Sequence, residues 1–221
     1  MKQFVKAVGG LKHSVIYTDT DGRHYRFYGG TWAWRNHNPG NLRPGFYANK
    51  HDPIGSTHHL AIFPTNALGR AALIDLLQSK YANCSIHEMI YQFAPPNENP
   101  TKKYEAYLRK VTGVTDDKKL RDFTSTQFKK VWEAIEHFEK YTVGEIVEVY
   151  PIFGVQIIGK NRYQYCLNEG EWISESECIL LAKKRKVELE ICLSKLDNQF
   201  LRTPPNSLFQ KRLEDIICKK S

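Results

Sequence analysis

An asparagine-rich loop in the first fifth of the chain carries side chains that could bind a polar ligand. It runs Arg35-Asn36-His37-Asn38-Pro39-Gly40-Asn41-Leu42-Arg43. Asparagine side chains donate and accept hydrogen bonds and tolerate left-handed backbone, and Pro-Gly favours a tight turn. Asn38 and Asn41 could therefore either staple an irregular loop or present amides to a sugar or peptide. Arg43 could hold a carboxylate through two parallel hydrogen bonds or pair with a loop carbonyl.

Glu98 is the acidic residue best placed in the sequence for acid catalysis. Cleavage of a glycosidic bond needs a carboxylic acid near the leaving oxygen, usually with a second carboxylate or a substrate group in support. Earlier acids fit structural roles, since Asp19 and Asp21 suit a hairpin turn and Glu88 suits a helix cap. Glu98 lies in a Pro/Asn-rich loop that could aim it into a cleft. The helix that follows favours its ionised form, so a structural or binding role stays open.

Histidine and cysteine patterns give weaker signals. His51, His58 and His59 lie near Asp52, but no helical pair of histidines accompanies them, so packing or exposed roles are favoured over a metal site. Five cysteines form no C-x-x-C pair, which favours reduced thiols. We therefore expect no metal and no cofactor.

An ordered series of segments over residues 15–144 resembles a known domain family. After a strand hairpin with Asp-Gly come, in order, Gly29-Gly30-Thr31-Trp32-Ala33-Trp34, the asparagine loop, Ile54-Gly55, Ala61-Ile62-Phe63-Pro64, Gly69-Arg70-Ala71-Ala72-Leu73, and Phe93-Ala94-Pro95-Pro96-Asn97-Glu98-Asn99 with Thr101 and Tyr104. The series is similar to a domain of phage virion proteins and of bacterial secreted or prophage proteins, described as structural or lysozyme-like. The commoner form has Asn at the position of His37 and Asp at that of Pro100.

The resemblance implies a lysozyme-like domain that binds peptidoglycan, with muramidase-like hydrolysis of the glycan strand as the candidate reaction. It makes Glu98 the acid. The implied substrate-binding residues are Trp32, Trp34, Asn36, Asn38, Asn41, Arg43 and Tyr104. Most lysozyme-like enzymes carry their acid on an early helix, and this chain has no glutamate before Glu88, which argues against a standard lysozyme mechanism. A non-catalytic virion or effector module that binds a glycan or a protein is the alternative.

The surrounding patterns predict an α+β fold. Residues 14–18 and 23–28 favour a β-hairpin, and residues 29–64 an ordered loop with or without short strands. Apolar periodicity and capping residues then predict four helices, starting near Thr65, Ser85, Asn99 and Thr124. Further predictions are a small β-meander from Glu145, a long helix from Ser174 through Leu193, and a final amphipathic helix after Pro205. We therefore expect a lysozyme-like domain over residues 1–144 and a β-plus-helix accessory domain over 145–221.

The net charge of +8 favours an anionic partner, such as nucleic acid, an acidic membrane surface or an anionic wall polymer. Residues 1–144 carry 20 Lys and Arg against 13 Asp and Glu, while residues 145–221 carry 12 against 11. Peptidoglycan or another anionic glycan is the expected partner, with a protein partner for the second domain; nucleic acid binding is a further alternative. No apolar stretch suggests a signal peptide or membrane span, so we expect synthesis in the cytoplasm and export by a dedicated secretion system or within a virion.

Overall fold

The protein combines helices with several small antiparallel sheets, as the α+β prediction requires. A computed structural model describes residues 3–159, 162–168, 170–194 and 197–218. The chain divides into two compact units, one of Met1–Gly29 with Gly144–Ser221 and one of Gly30–Val143. We call them the sheet unit and the helical unit. The units divide near residue 144, and residues 1–29 group with the carboxyl-terminal part instead of with the predicted 1–144 domain.

The reason for this correction is a four-stranded sheet that draws on both ends of the sequence. Strands β1 (Phe4–Gly10), β2 (Ser14–Asp19) and β3 (His24–Tyr28) are followed in the sheet by β6 (Glu145–Val149), and all neighbours are antiparallel. The predicted hairpin is β2–β3. Its turn forms because the Asp19 carboxylate accepts the backbone N–H groups of Asp21 and Arg23 at 3.0 and 2.9 Å, while Gly22 adopts a φ of +77°.

The remainder of the sheet unit only partly follows the predicted pattern. A meander is present as β7 (Gly154–Gly159), β8 (Arg162–Asn168) and β9 (Glu171–Ser174), whereas Glu145–Val149 joins the first sheet. Helix α7 (Glu175–Lys183) begins at the predicted Ser174 capping box but does not continue to Leu193. Strands β10 (Glu190–Leu193) and β11 (Gln199–Arg202) pair with each other instead.

Helix α7 ends through a Schellman motif without glycine. The backbone N–H of Lys186 bonds to the carbonyl of Leu181 at 2.9 Å, and that of Arg185 to Ala182 at 3.0 Å. Arg185 adopts the left-handed φ of +61° that this motif requires. Because glycine usually occupies that position, the sequence gives no sign of the stop.

The predicted final helix is also wrong, since residues 206–218 are described and their one helical element is a 3-10 turn, Leu213–Ile216. Its polar groups bond elsewhere. The side chain of Gln210 accepts the N–H of Ile152 at 2.8 Å and donates to its carbonyl at 2.9 Å. Cys218 donates its backbone N–H to Val155 at 2.7 Å, which holds the segment extended.

The helical unit contains the four predicted helices. In chain order its elements are α1 (Trp32–Arg35), α2 (Phe46–Asn49), β4 (Gly55–Thr57), β5 (Leu60–Ile62), α3 (Asn66–Ser79), α4 (Ile86–Phe93), α5 (Thr101–Thr112), a 3-10 turn (Leu120–Asp122) and α6 (Ser125–Phe138). Capping boxes open α4 at Ser85 and α6 at Thr124. The predicted ordered loop thus contains the hairpin β4–β5 and two short helices.

Each unit has its own apolar core. The core of the helical unit centres on Phe63, Leu73, Leu77, Ile90 and Leu108, all fully buried. The sheet unit has a smaller core that includes Val155, Tyr165, Cys178 and Val187. In the described part of the chain, no helix has the length and apolar character needed to cross a membrane.

Candidate functional site

The asparagine loop is a folded turn whose backbone is held by its own side chains. Asn41 donates its backbone N–H to the carbonyl of Asn38 at 2.9 Å, which closes a turn around Pro39 and Gly40. Asn38 is fully buried. Its Nδ2 donates to the carbonyls of Leu42 and Ala61, and its Oδ1 accepts the N–H of Leu42, all at 2.9 Å. For Asn38 the structure therefore favours the stapling role.

Two glycines let helix α3 approach this loop closely. A methyl group added to Gly69 would lie 2.0 Å from the carbonyl oxygen of His37, a distance that no side chain can occupy. A methyl group on Gly40 would lie 2.9 Å from the Leu73 side chain. The helix and the turn thus pack backbone against backbone, which fixes the direction in which the loop presents Asn41.

A pocket of about 530 Å³ opens beside the loop. Five segments that are distant in sequence line it: the end of the asparagine loop with α2, strand β5, the end of α3 with the residues after it, the end of α4 with the loop after it, and the end of α6. Its lining residues with polar or charged side chains are Asn41, Arg43, Lys80, Gln92, Glu98, Asn99 and Glu139, together with Tyr47 and Tyr81. Glu98, Asn41 and Arg43, which lie up to 57 positions apart in the sequence, are thus brought together.

Glu139 is the most chemically distinctive group in this pocket. Asn41 Nδ2 donates to its Oε2 at 2.8 Å, and the Tyr104 hydroxyl donates to its Oε1 at 3.2 Å. Burial raises the pKa of Glu139 above its ordinary value, although both hydrogen bonds act in the opposite direction. The residue also caps the carboxyl end of α6, where the helix dipole disfavours a negative charge. Glu139 therefore has the environment of a carboxylic acid that can hold its proton.

The surroundings of Glu139 reinforce this environment. Tyr104 is fully buried and stacks on Phe138 with ring centroids 3.7 Å apart. Burial and the nearby Glu139 carboxylate raise the pKa of the Tyr104 hydroxyl, so that the group stays a hydrogen-bond donor. Asn41 has a left-handed φ of 47°, and its Oδ1 is buried without a hydrogen-bond partner among the described residues. That oxygen is an acceptor available beside the Glu139 carboxyl.

Glu98 occupies a different environment in the same pocket. Its Oε2 accepts a hydrogen bond from Arg43 Nη2 at 2.9 Å, and the two side chains are 49% and 70% exposed. It lies in the turn before α5, as predicted. A solvent-facing pair of this kind is weak and can be exchanged for contacts with a ligand. Its setting suits binding or charge stabilisation better than proton donation.

The predicted aromatic groove is not formed by the two tryptophans. Trp34 is buried, and Trp32 is half-buried with the Arg35 guanidinium over its ring and His58 beside it at a centroid distance of 4.5 Å. Neither lines the pocket. Phe46 instead stands at its edge with 70% of its surface exposed, beside Tyr47.

The remaining predicted residues are also interior. Asn36 is fully buried, and both polar atoms of its side chain lack a hydrogen-bond partner among the described residues. Tyr104 reaches the pocket only through its bond to Glu139. Ligand contact through Asn41, Arg43 and Glu98 stays a prediction, whereas Asn36 and Asn38 are fully buried and Trp34 is nearly so.

Sequence reasoning missed Glu139, Phe46 and Tyr47. The sequence does hold a signal for Glu139, because an acidic residue directly after the apolar stripe of a helix goes against the preference for cations at carboxyl ends. Phe46 and Tyr47 follow Gly45 in a stretch predicted as loop. Nothing in their spacing marks them as pocket residues.

No group of three or more His, Cys, Asp or Glu side chains within the described ranges is arranged to hold a metal ion. The Nε2 atom of His51 lies 3.5 Å from Oδ2 of Asp75 on α3, and the ring of His58 packs against that of Trp32.

A scan of the chain against models of protein families found no match. A search of curated proteins likewise found no similar sequence.

Proposed function

We propose that the helical unit hydrolyses the glycan strand of peptidoglycan, with Glu139 as the proton donor. The observation that carries the proposal is the setting of Glu139, a half-buried carboxyl that is hydrogen-bonded to Asn41 and Tyr104, has a raised pKa and lies in a pocket that also holds a second carboxylate, Glu98. Hydrolysis of a glycosidic bond uses such a pair, one acid to protonate the leaving oxygen and one carboxylate to support the positive charge that develops on the sugar. The resemblance of residues 15–144 to lysozyme-like domains supplies the substrate class.

In this mechanism each pocket residue has a separate task. Glu139 donates its proton to the leaving oxygen as the bond to the sugar breaks. Asn41 and Tyr104 then stabilise the carboxylate that forms, because their N–H and O–H groups already point at its two oxygens. Glu98 faces the developing positive charge or activates the attacking water. Phe46 offers a flat apolar surface for a sugar ring, as aromatic side chains commonly do.

Arg43 is positioned to recognise the acidic groups of the substrate. Peptidoglycan carries lactyl and peptide carboxylates, and a guanidinium binds a carboxylate through two parallel hydrogen bonds. A substrate carboxylate that takes Arg43 would replace its bond to Glu98. Substrate binding would in this way release Glu98 for the reaction.

The test compares three proteins on purified peptidoglycan: the wild type, Glu139→Gln and Glu98→Gln, with soluble products resolved by mass spectrometry. We expect the wild type to release muropeptides with new reducing ends and Glu139→Gln to lose at least 100-fold in rate, since general acid catalysis contributes about 10²–10⁴-fold. Binding to the insoluble wall should persist in Glu139→Gln.

Other outcomes point elsewhere. Loss of activity in Glu98→Gln with full activity in Glu139→Gln would return the acid role to Glu98. Intact wall in all three proteins, with wall binding retained, would instead favour a non-catalytic glycan-binding module.

A further inference from the structure

A second cleft lies entirely within the sheet unit and differs in character from the pocket of Glu139. It has a volume of about 630 Å³ and is formed by the 3-10 turn after β1, the end of α7, and strands β10 and β11. Five cationic side chains line it, accompanied by one acidic residue, Glu190. The cationic residues of this basic cleft are Lys12, Arg26, Lys183, Arg185 and Arg202.

Two of these charges are neutralised within the unit. Arg202 pairs with Glu190 at 2.6 Å. Arg26 pairs with Glu188, and both side chains are 3% exposed. Burial lowers the pKa of Arg26, but the neighbouring carboxylate opposes this effect. The Nε of Arg26 has no hydrogen-bond partner in the described part of the chain.

The Arg26–Glu188 pair fixes both walls of the cleft. Glu188 Oε1 accepts the backbone N–H of Leu11 at 2.7 Å, next to Lys12. Arg26 donates to the carbonyl of Val187 at 3.3 Å, two residues after Arg185. A buried ion pair that is hydrogen-bonded to the backbone on two sides is costly to disrupt, so the cleft keeps its shape without a ligand.

The other three cations form no salt bridge with an acidic side chain that the structure describes. Within the described ranges Lys12, Lys183 and Arg185 form no salt bridge, although the Arg185 guanidinium lies over the Tyr28 ring at 4.3 Å. Three uncompensated positive charges around one cleft repel each other, and an anion placed among them removes that repulsion. The walls between them are apolar, formed by Leu11, Ala182, Val187, Leu189 and Ile191.

We propose that this cleft binds an organic phosphate, with the phosphate group held by Lys12, Lys183 and Arg185 and its organic part resting on the apolar walls. A single carboxylate is a poorer match, because it offers two oxygens and one negative charge to three cations, and only one of these, Arg185, has a guanidinium fork that is not already paired. A phosphate offers more oxygens and up to two charges to separate point cations such as lysine ammonium groups. The volume lies in the range of small-molecule sites. This inference is independent of the proposed hydrolysis.

The experiment is isothermal titration calorimetry on the full-length chain at fixed ionic strength. Its ligands are inorganic pyrophosphate, glycerol 3-phosphate, a nucleoside diphosphate, and malonate as a dicarboxylate control. We expect saturable binding of at least one phosphate compound and no binding of malonate in the same range. Tighter binding of glycerol 3-phosphate or of the nucleoside diphosphate identifies the source of the organic part.

Matched variants separate a built site from general surface attraction. Lys12→Gln and Lys183→Gln should each weaken phosphate binding about tenfold, while Lys184→Gln, one residue away and outside the cleft, should change it less than twofold. Circular dichroism confirms that all three variants are folded. Equal weakening by Lys184→Gln, or no saturable binding of any phosphate compound by the wild type, would overturn the proposal.

Discussion

The asparagine loop allows a direct comparison of two buried amides, Asn38 and Asn36. Replacement of Asn38 by alanine removes three hydrogen bonds of 2.9 Å. The N–H of Leu42 loses its acceptor, at a cost of about 1–3 kcal/mol, and the two lost bonds to carbonyls add about 0.5–1.5 kcal/mol each. We expect Asn38→Ala to lower the free energy of unfolding of the helical unit by about 2–6 kcal/mol.

Asn36→Ala is the control because it removes the same atoms from an equally buried position. Its amide has no hydrogen-bond partner among the described residues, so the unpaired polar group already destabilises the fold by about 1–3 kcal/mol. Its removal relieves that cost while leaving a cavity of comparable penalty. We expect a net change below about 1 kcal/mol.

Urea denaturation followed by tryptophan fluorescence measures both values. Trp172 is the one tryptophan of the sheet unit, so a Trp172→Phe background confines the signal to the helical unit. The slope of free energy against urea should be unchanged, which shows that the same surface is exposed on unfolding. Equal destabilisation by the two variants would refute the reasoning, since it would mean that the hydrogen bonds of Asn38 contribute nothing beyond side-chain volume.

Three further predictions concern the same unit. Gly69→Ala should destabilise it by more than about 2 kcal/mol in the same urea assay, because the added methyl would meet the His37 carbonyl at 2.0 Å; a smaller change would mean that helix α3 can shift away. Because burial raises the pKa of Glu139, the folded state holds the proton of this carboxyl more tightly than the unfolded state does. This contribution to the free energy of unfolding is complete below pH 4.5 and is lost as pH rises through the raised pKa. The stability of wild type relative to Glu139→Gln should therefore fall as pH rises above 4.5, and a flat difference would contradict the assignment. Tyr104→Phe removes a hydrogen bond that favours the Glu139 carboxylate, so the alkaline limb of peptidoglycan turnover should move to higher pH; an unchanged limb would show that Glu139 is not the titrating acid.

Local sequence patterns predicted the helices well and the pairing of the strands poorly. The helices that begin near Thr65, Ser85 and Thr124 have side-chain caps and apolar periodicity that are complete within a few residues. The pairing of β3 with β6 joins segments about 120 residues apart, and no local pattern encodes it. Strand β1 went unpredicted for a different reason, since it pairs with the adjacent β2 and only its own composition fails to mark it as a strand.

The candidate site shows the same division. Asn41, Arg43 and Glu98 stand out because unusual residues surround them, and all three line the pocket. Glu139 follows an ordinary amphipathic helix, and it is distinguished by the hydrogen bonds of its half-buried carboxylate to Asn41 and Tyr104. A pKa depends on desolvation, which the fold creates.

The pairing of β3 with β6 determines how the two units can be separated into two polypeptides. The chain leaves the sheet after β3, forms the helical unit, and returns to the sheet at the adjacent strand β6. The two ends of the helical unit meet where the backbone N–H of Thr31 donates to the carbonyl of Thr142 at 3.0 Å. It is therefore an inserted domain, held at both ends within the loop of a β-hairpin. A two-residue Asn-Gly turn in place of residues 30–143 should reconnect the hairpin, and the excised segment already has neighbouring termini. The proposed wall hydrolysis and the proposed phosphate binding can then be assayed on separate polypeptides, and the excised segment is a natural candidate for circular permutation.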